Sequence, residues 1–211
     1  MASAAIAGMV LFTLSSVYFS IAWKQGFNTA LLVSIVTLLS YLLLLEGSFA
    51  TTSPDGQAQF FPRWILYAVS HTLIAYQMSR LLGKRHEERG FLFVLAGIVM
   101  GTLTLSSYFH GEWMIVFFAI AAILHVGFAS RMLRTVSEYR GVVANYLWLG
   151  WTAFPLILLI SPEGIAVTDS EVAAWLYLLL DVVTKIVFYI DVSRRLRHHP
   201  EPASHQAGTP A

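Results

Sequence analysis

The sequence predicts an all-α membrane protein: a bundle of seven transmembrane helices, N-terminus outside and C-terminus cytoplasmic. Three observations predict it. The chain is 57% hydrophobic and 12% charged, with mean hydropathy +0.67, whereas soluble domains carry about 25% charged residues. Apolar stretches near the roughly 20 residues that cross a bilayer recur seven times. The basic residues fall on alternate connections along the chain.

The first stretch, about 3–23, is preceded by no Lys or Arg. A secretory signal opens with a basic region, so this segment reads as a retained helix. The second, about 28–47, is rich in Leu, Val and Ile on either side of Tyr41 and ends near Glu46. The longest connection follows, with the turn signal Ser53-Pro54-Asp55-Gly56. The third stretch, about 62–82, carries Arg63, Ser70, His71 and Gln77. The fourth and fifth, about 90–108 and 113–132, are apolar and include Val99, Leu103 and His125. The sixth, about 142–161, holds Trp151 and Pro155, and the seventh, about 171–193, holds Asp181 and Lys185. Short connections make neighbouring helices antiparallel. The segments are too long for barrel strands, and in lipid only helices or closed barrels satisfy the backbone. Residues 1–197 therefore form one membrane domain, multi-pass in the cell membrane and in contact with lipid. The tail 198–211, rich in Pro, His, Ala and Gly, reads as a disordered cytoplasmic segment.

The positive-inside rule sets the orientation. With the N-terminus outside, eleven of the 13 basic residues are cytoplasmic: Lys24, Arg80, Lys84, Arg85, Arg89, Arg131, Arg134, Arg140, Arg194, Arg195 and Arg197. The run Lys84 to Arg89 is expected to touch anionic lipid. The outer connections carry Asp55, Glu112, Glu163 and Asp169 and no Lys or Arg. Several functions are disfavoured. The absence of cysteine removes disulfides and thiol metal sites. A net charge of +1 offers no field for nucleic acid. No nucleophile–base pair or phosphate loop points to an enzyme. His110 and Glu112 are too few ligands to make a metal site.

Lys185 is the informative residue. It falls mid-span, where a charge costs about 2.5 kcal/mol or more. Asp181 lies four residues earlier, on the same helix face. One reading is a structural ion pair in a seven-helix transporter. The other is an amine that forms a Schiff base with an aldehyde cofactor, with Asp181 as counterion.

Seven helices with Asp-x-x-x-Lys in the last one resemble the microbial rhodopsins, the bacteriorhodopsin-like family. Leu149-Gly150-Trp151-Thr152-Ala153-Phe154-Pro155 is similar to that family's Trp-x-x-Tyr-Pro, with Phe154 in place of the Tyr. The spacing from Trp151 to Lys185 matches without a gap, and Ser161-Pro162-Glu163-Gly164 resembles the connection between helices six and seven. The resemblance implies all-trans retinal bound covalently to Lys185. Trp151, Phe154, Pro155, Leu158 and Thr184 would lie around it, with Tyr41 near the counterion. Aligning the third helix on Arg63 adds Leu66, Tyr67, Ser70 and His71, and then Val99 and Leu103 along the polyene. A rival register pairs Trp64 with the family's Trp and puts Arg63 at the acceptor position; the first is preferred.

The third helix departs from the family's proton pumps. Leu66 stands at the proton-acceptor position and Gln77 at the donor position, so neither site has a carboxylate. Lys185 and Arg63 against Asp181 leave one positive charge uncompensated. The remedies are a neutral Schiff base, a bound chloride, or Glu46 turned inward toward Arg63; Glu46 or an anion is preferred. His71 could tune colour or shuttle a proton, whereas His125 is expected to be a packing residue. The resemblance then implies a light-responsive protein. Isomerisation against Trp151 and Phe154 would move the Schiff base among Asp181, water and Ser70. A sensory or photochromic role acting through a transducer or regulatory partner is preferred. The alternative is light-driven or light-gated ion movement, of anions rather than protons. Homo-oligomers are expected from the family.

Overall fold

The computed structural model describes residues 1–22, 28–47, 51–52, 58–59, 61–109 and 111–198. Lys24, the turn signal from Ser53 to Gly56, His110 and the tail beyond His198 lie outside these residues. Seven helices follow in order: α1 (Ala2–Ile21), α2 (Asn28–Glu46), α3 (Phe61–Leu81), α4 (His86–Tyr108), α5 (Glu112–Leu133), α6 and α7. Helix α6 comprises Arg140–Asn145, a π-helical turn Tyr146–Trp151, and Ala153–Ile160. Helix α7 comprises Ser170–Asp181, a second π-helical turn Val182–Val187, and Phe188–His198. Between α2 and α3, strands β1 (Thr51–Thr52) and β2 (Ala58–Gln59) pair antiparallel, Thr51 opposite Gln59.

Sequential helices pack side by side, and α1 also meets α7, closing a ring. Six of the seven are long and apolar enough to cross a membrane; α3 is the one that falls short. The reason is its position. Helix α3 buries Arg63, Ser70, His71, Thr72, Gln77 and Ser79, so its polar groups find partners inside the bundle rather than facing hydrocarbon. The outward faces of the other helices carry the opposite pattern, with Ile21, Ile123 and Leu149 among their most exposed residues.

The largest core cluster runs from Phe19 and Trp64 through Ile74, Met78 and Phe128 to Phe188 and Tyr189. A smaller one joins Ala5, Phe12, Tyr41, Leu44 and Leu178. Helices α1 and α2 approach closely at Gly8, where a Cβ would stand 2.5 Å from the Tyr41 ring. Ser15 and Ser34 hydroxyls hydrogen-bond across the same pair at 2.8 Å. Lys84 departs from the expected lipid contact. It is buried in the turn before α4, and its ammonium donates to the Arg131 and Arg134 carbonyls, 3.2 and 2.9 Å away, and to Glu88. A cation there satisfies carbonyls left open at the α5 C-terminus.

Candidate functional site

The α7 π-helical turn delivers the central pair. Its wider winding ends with the Phe188 N–H bonded to the Val183 carbonyl, five residues back, a local irregularity frequent at functional sites. Lys185 lies in this turn at 1% exposure, and Asp181 immediately before it at 0%. Lys185 Nζ stands 2.7 Å from Asp181 Oδ1. The other carboxylate oxygen, Oδ2, accepts from the Tyr41 hydroxyl at 2.7 Å and the Tyr67 hydroxyl at 2.8 Å. Lys185 Nζ also sits over the Tyr67 ring, 4.2 Å from its centroid. The pair is therefore held by α2, α3 and α7 together.

Tyr67, rather than Trp64, faces the lysine. Trp64 turns away and its indole N–H donates to Glu163 Oε2 at 2.8 Å. Beyond Tyr67 an aromatic cage follows. Tyr67 meets Phe154 edge-on with centroids 5.3 Å apart. His71 meets both Trp151 and Phe154 edge-on at 4.9 Å, and Phe128 stacks on Trp151 at 5.5 Å. His71 Nδ1 lies 2.9 Å from the Tyr67 carbonyl. A carbonyl only accepts, so Nδ1 carries the hydrogen and Nε2 is a bare acceptor. That atom is buried without a partner among the described residues, as is Trp151 Nε1. Both residues line a cavity of about 190 Å³ between α3, α4, α5 and α6, with Val99, Leu103 and Pro155 also in its wall.

The remaining expected residues fall around this core. Ser70 is buried and donates to the Tyr67 carbonyl at 3.2 Å. Thr184 donates to the Leu180 carbonyl at 2.7 Å, and its methyl fills the space where Gly150 has no Cβ. Leu158 is fully buried in the core, and Leu66 is half-buried on α3. Gln77, also buried, accepts from Thr29 at 3.2 Å, which ties α3 to α2.

Glu46 lies exposed at the end of α2. Arg63 is buried, stacks its guanidinium 4.7 Å over the Tyr177 ring, and shares a small polar cavity with Glu163, Ser161 and Met1. Glu163 is itself 7% exposed. It belongs to the connection between α6 and α7, and the chain after α6 folds back there, with Gly164 N–H on the Ser161 carbonyl and Ile165 N–H on the Leu159 carbonyl. At usual charges, Lys185, Arg63, Asp181 and Glu163 sum to zero. Buried charge without a compensating charge nearby is expensive. The signal for Glu163 was available in part: a carboxylate beside Pro162, at the end of the helix that neighbours Arg63.

This geometry agrees with the relatives of the chain. A family model described as bacteriorhodopsin-like protein matches residues 1–192. Sensory rhodopsin-2 of Haloarcula vallismortis is 24% identical over 173 residues, covering 75% of this chain and 72% of the relative. Bacteriorhodopsin of Halobacterium salinarum is 27% identical over 183 residues, covering 78% and 69%. The crystal structure of schizorhodopsin 4 superposes with a TM-score of 0.86 at 27% identity, over 91% of this chain and 98% of that one. The chain is an integral membrane protein belonging to the bacteriorhodopsin-like (microbial rhodopsin) family.

Proposed function

We propose that this protein binds all-trans retinal covalently on Lys185 and answers light with a conformational change, in a sensory or photochromic role. Members of the family bind retinal through a lysine. One observation carries the reading here: a fully buried lysine–aspartate pair stands behind an aromatic cage whose far side, at His71 and Trp151, lines an apolar cavity. The residues present fit such a group. Lys185 Nζ has no hydrogen-bond donor role filled apart from its ion pair. Trp151, Phe154 and His71 offer ring faces along a line from Tyr67 to Val99 and Leu103. When bound, retinal supplies a photoisomerisable polyene.

The chain's own residues do the rest. Asp181 balances the charge on the lysine nitrogen, and Tyr41 and Tyr67 fix the orientation of that carboxylate. Ser70 stands on the next turn of α3 from Tyr67, beside the cage. The cage confines motion so that displacement is passed to α6 and α7, whose π-helical turns pack against each other. Toward Gln77 no buried carboxylate lies among the described residues, and Ile74, Met78, Phe188 and Tyr189 fill the interior. That blocked half supports signalling over transport. A partner, either a transducer or another regulatory protein, would read the movement of α6 and α7. With Glu163 beside Arg63, the internal charge closes without chloride. We place the N-terminus outside on the distribution of basic residues.

Ion movement is the second reading, favoured by the polar cavity that joins Arg63 and Glu163 to the end of the bundle. Vesicles containing the retinal-loaded protein separate the two under illumination. The sensory reading expects no sustained current or pH change, and a steady photocurrent contradicts it.

A further inference from the structure

The cavity between α5 and α6 is open on one side. Its inner end is formed by His71, Leu103, Ala121 and Trp151, all buried. Its outer end is formed by Ala122 and Val126 of α5 and Trp148 and Leu156 of α6. These are lipid-facing residues: Val126 and Leu156 are each 54% exposed and Trp148 43%. Protein interiors are otherwise close-packed, so a seam left open here has a cause. The π-helical turn of α6 places the Thr152 N–H on the Leu147 carbonyl, five residues back, at 3.2 Å. Pro155 has no N–H to return to the Trp151 carbonyl. Across the seam α5 presents the small side chains Ala121 and Ala122.

One polar contact bridges the opening. His125 Nε2 lies 3.2 Å from Thr152 Oγ1. The Thr152 hydroxyl has a single hydrogen, directed to the Leu147 carbonyl at 3.3 Å, so His125 Nε2–H is the donor. Between the cavity and Lys185 stand the rings of His71, Trp151, Phe154 and Tyr67. Side-chain rotation can open such a wall, whereas a backbone wall cannot yield that way. The competing route on the Arg63 side passes a buried guanidinium and a carboxylate, which are poor surroundings for a long apolar aldehyde.

We propose that the seam between α5 and α6 is the lateral entrance by which retinal passes from the bilayer to Lys185, latched by the His125–Thr152 hydrogen bond. This rests on the retinal reading above. The test uses Ala122→Cys, the sole cysteine in a chain that has none, in phosphatidylcholine vesicles. Benzyl methanethiosulfonate converts that thiol to a mixed disulfide with loss of sulfinate, and dithiothreitol reverses it. The rate at which added all-trans retinal develops its shifted band is followed. Association that must wait for an opening motion is slowed, so the modified protein is expected to load roughly tenfold more slowly and to recover after dithiothreitol. Ile123→Cys, exposed on α5 but outside the cavity wall, loads at one rate with or without the reagent. Thr152→Val loads faster than the unsubstituted chain. Equal rates for modified and unmodified Ala122→Cys, or no acceleration in Thr152→Val, overturn the entrance or its latch respectively. If the unsubstituted chain never forms the band, the retinal reading fails first and takes the entrance with it.

Discussion

Asp181 accepts two hydroxyl protons on one oxygen and faces an ammonium with the other, so every substitution around it should be read through that carboxylate. Tyr67→Phe keeps the ring under Lys185 and removes one donor. Hydrogen bonds to charged groups contribute about 1.5–3 kcal/mol, and a loss of that size is expected in stability. The negative charge on Asp181 becomes less dispersed and holds the positive charge nearer the lysine nitrogen. The visible band of the loaded protein should therefore move to shorter wavelength, which absorption spectroscopy reads directly. A shift to longer wavelength would contradict this account of the counterion. Glu163 gives a second residue-level prediction. The unsubstituted protein should show no change of spectrum between chloride-free and molar chloride buffers. Glu163→Gln removes the negative charge that shares a cavity with Arg63, so its spectrum should respond to chloride. Arg63→Gln in the same chain should abolish that response again. A chloride response in the unsubstituted protein would mean that the four-charge balance is incomplete.

At the scale of elements, two close approaches set the site. Gly8 lets the Tyr41 ring lie against α1, which keeps its hydroxyl on Asp181. Gly8→Ala would put a Cβ inside the contact distance of a ring, and overpacking of this kind costs about 1–3 kcal/mol. The expected consequence is coupling. Tyr41→Phe should cost clearly less in the Gly8→Ala background than alone, because the displaced tyrosine has already left Asp181. A double-mutant cycle on thermal stability measures this, and additive costs would show that Tyr41 tolerates the extra methyl without moving. Gly150 does the same between α6 and α7, where Thr184 occupies its missing Cβ. Neither approach was legible beforehand, since a glycine in an apolar run does not reveal which ring it meets. The π-helical turns were equally hidden. Pro155 hints at the one in α6, while the turn around Lys185 carries no residue that demands it.

At the scale of the whole molecule, the seven helices were legible because lipid imposes a length and a polarity that sequence records directly. Their ends were less so. Helix α4 begins at His86 rather than near 90, since His86, Glu87, Glu88 and Arg89 continue the helix beyond the apolar stretch. Helix α3 was identified by length and position, and the structure explains why its hydropathy is low: its polar groups are buried among the other helices. Lys185 with Asp181 was legible from the one-turn spacing, and Trp151 with Phe154 from the resemblance of their motif, and of its spacing to Lys185, to the family pattern. Glu163 was legible only in part, from its place beside Pro162, because its burial depends on a chain reversal after α6 that no pairwise spacing encodes. The same limit applied to the cavity, which four helices make jointly. The bundle thus places one buried amine against a carboxylate, with an aromatic cage between that pair and an apolar cavity.

The most direct measurement is chemical. The purified protein is incubated with all-trans retinal, reduced with borohydride, digested, and its peptides weighed. The account predicts one retinyl group, on the peptide containing Lys185, and none in Lys185→Ala. Retinal recovered unreacted, or attached at another lysine, would contradict it.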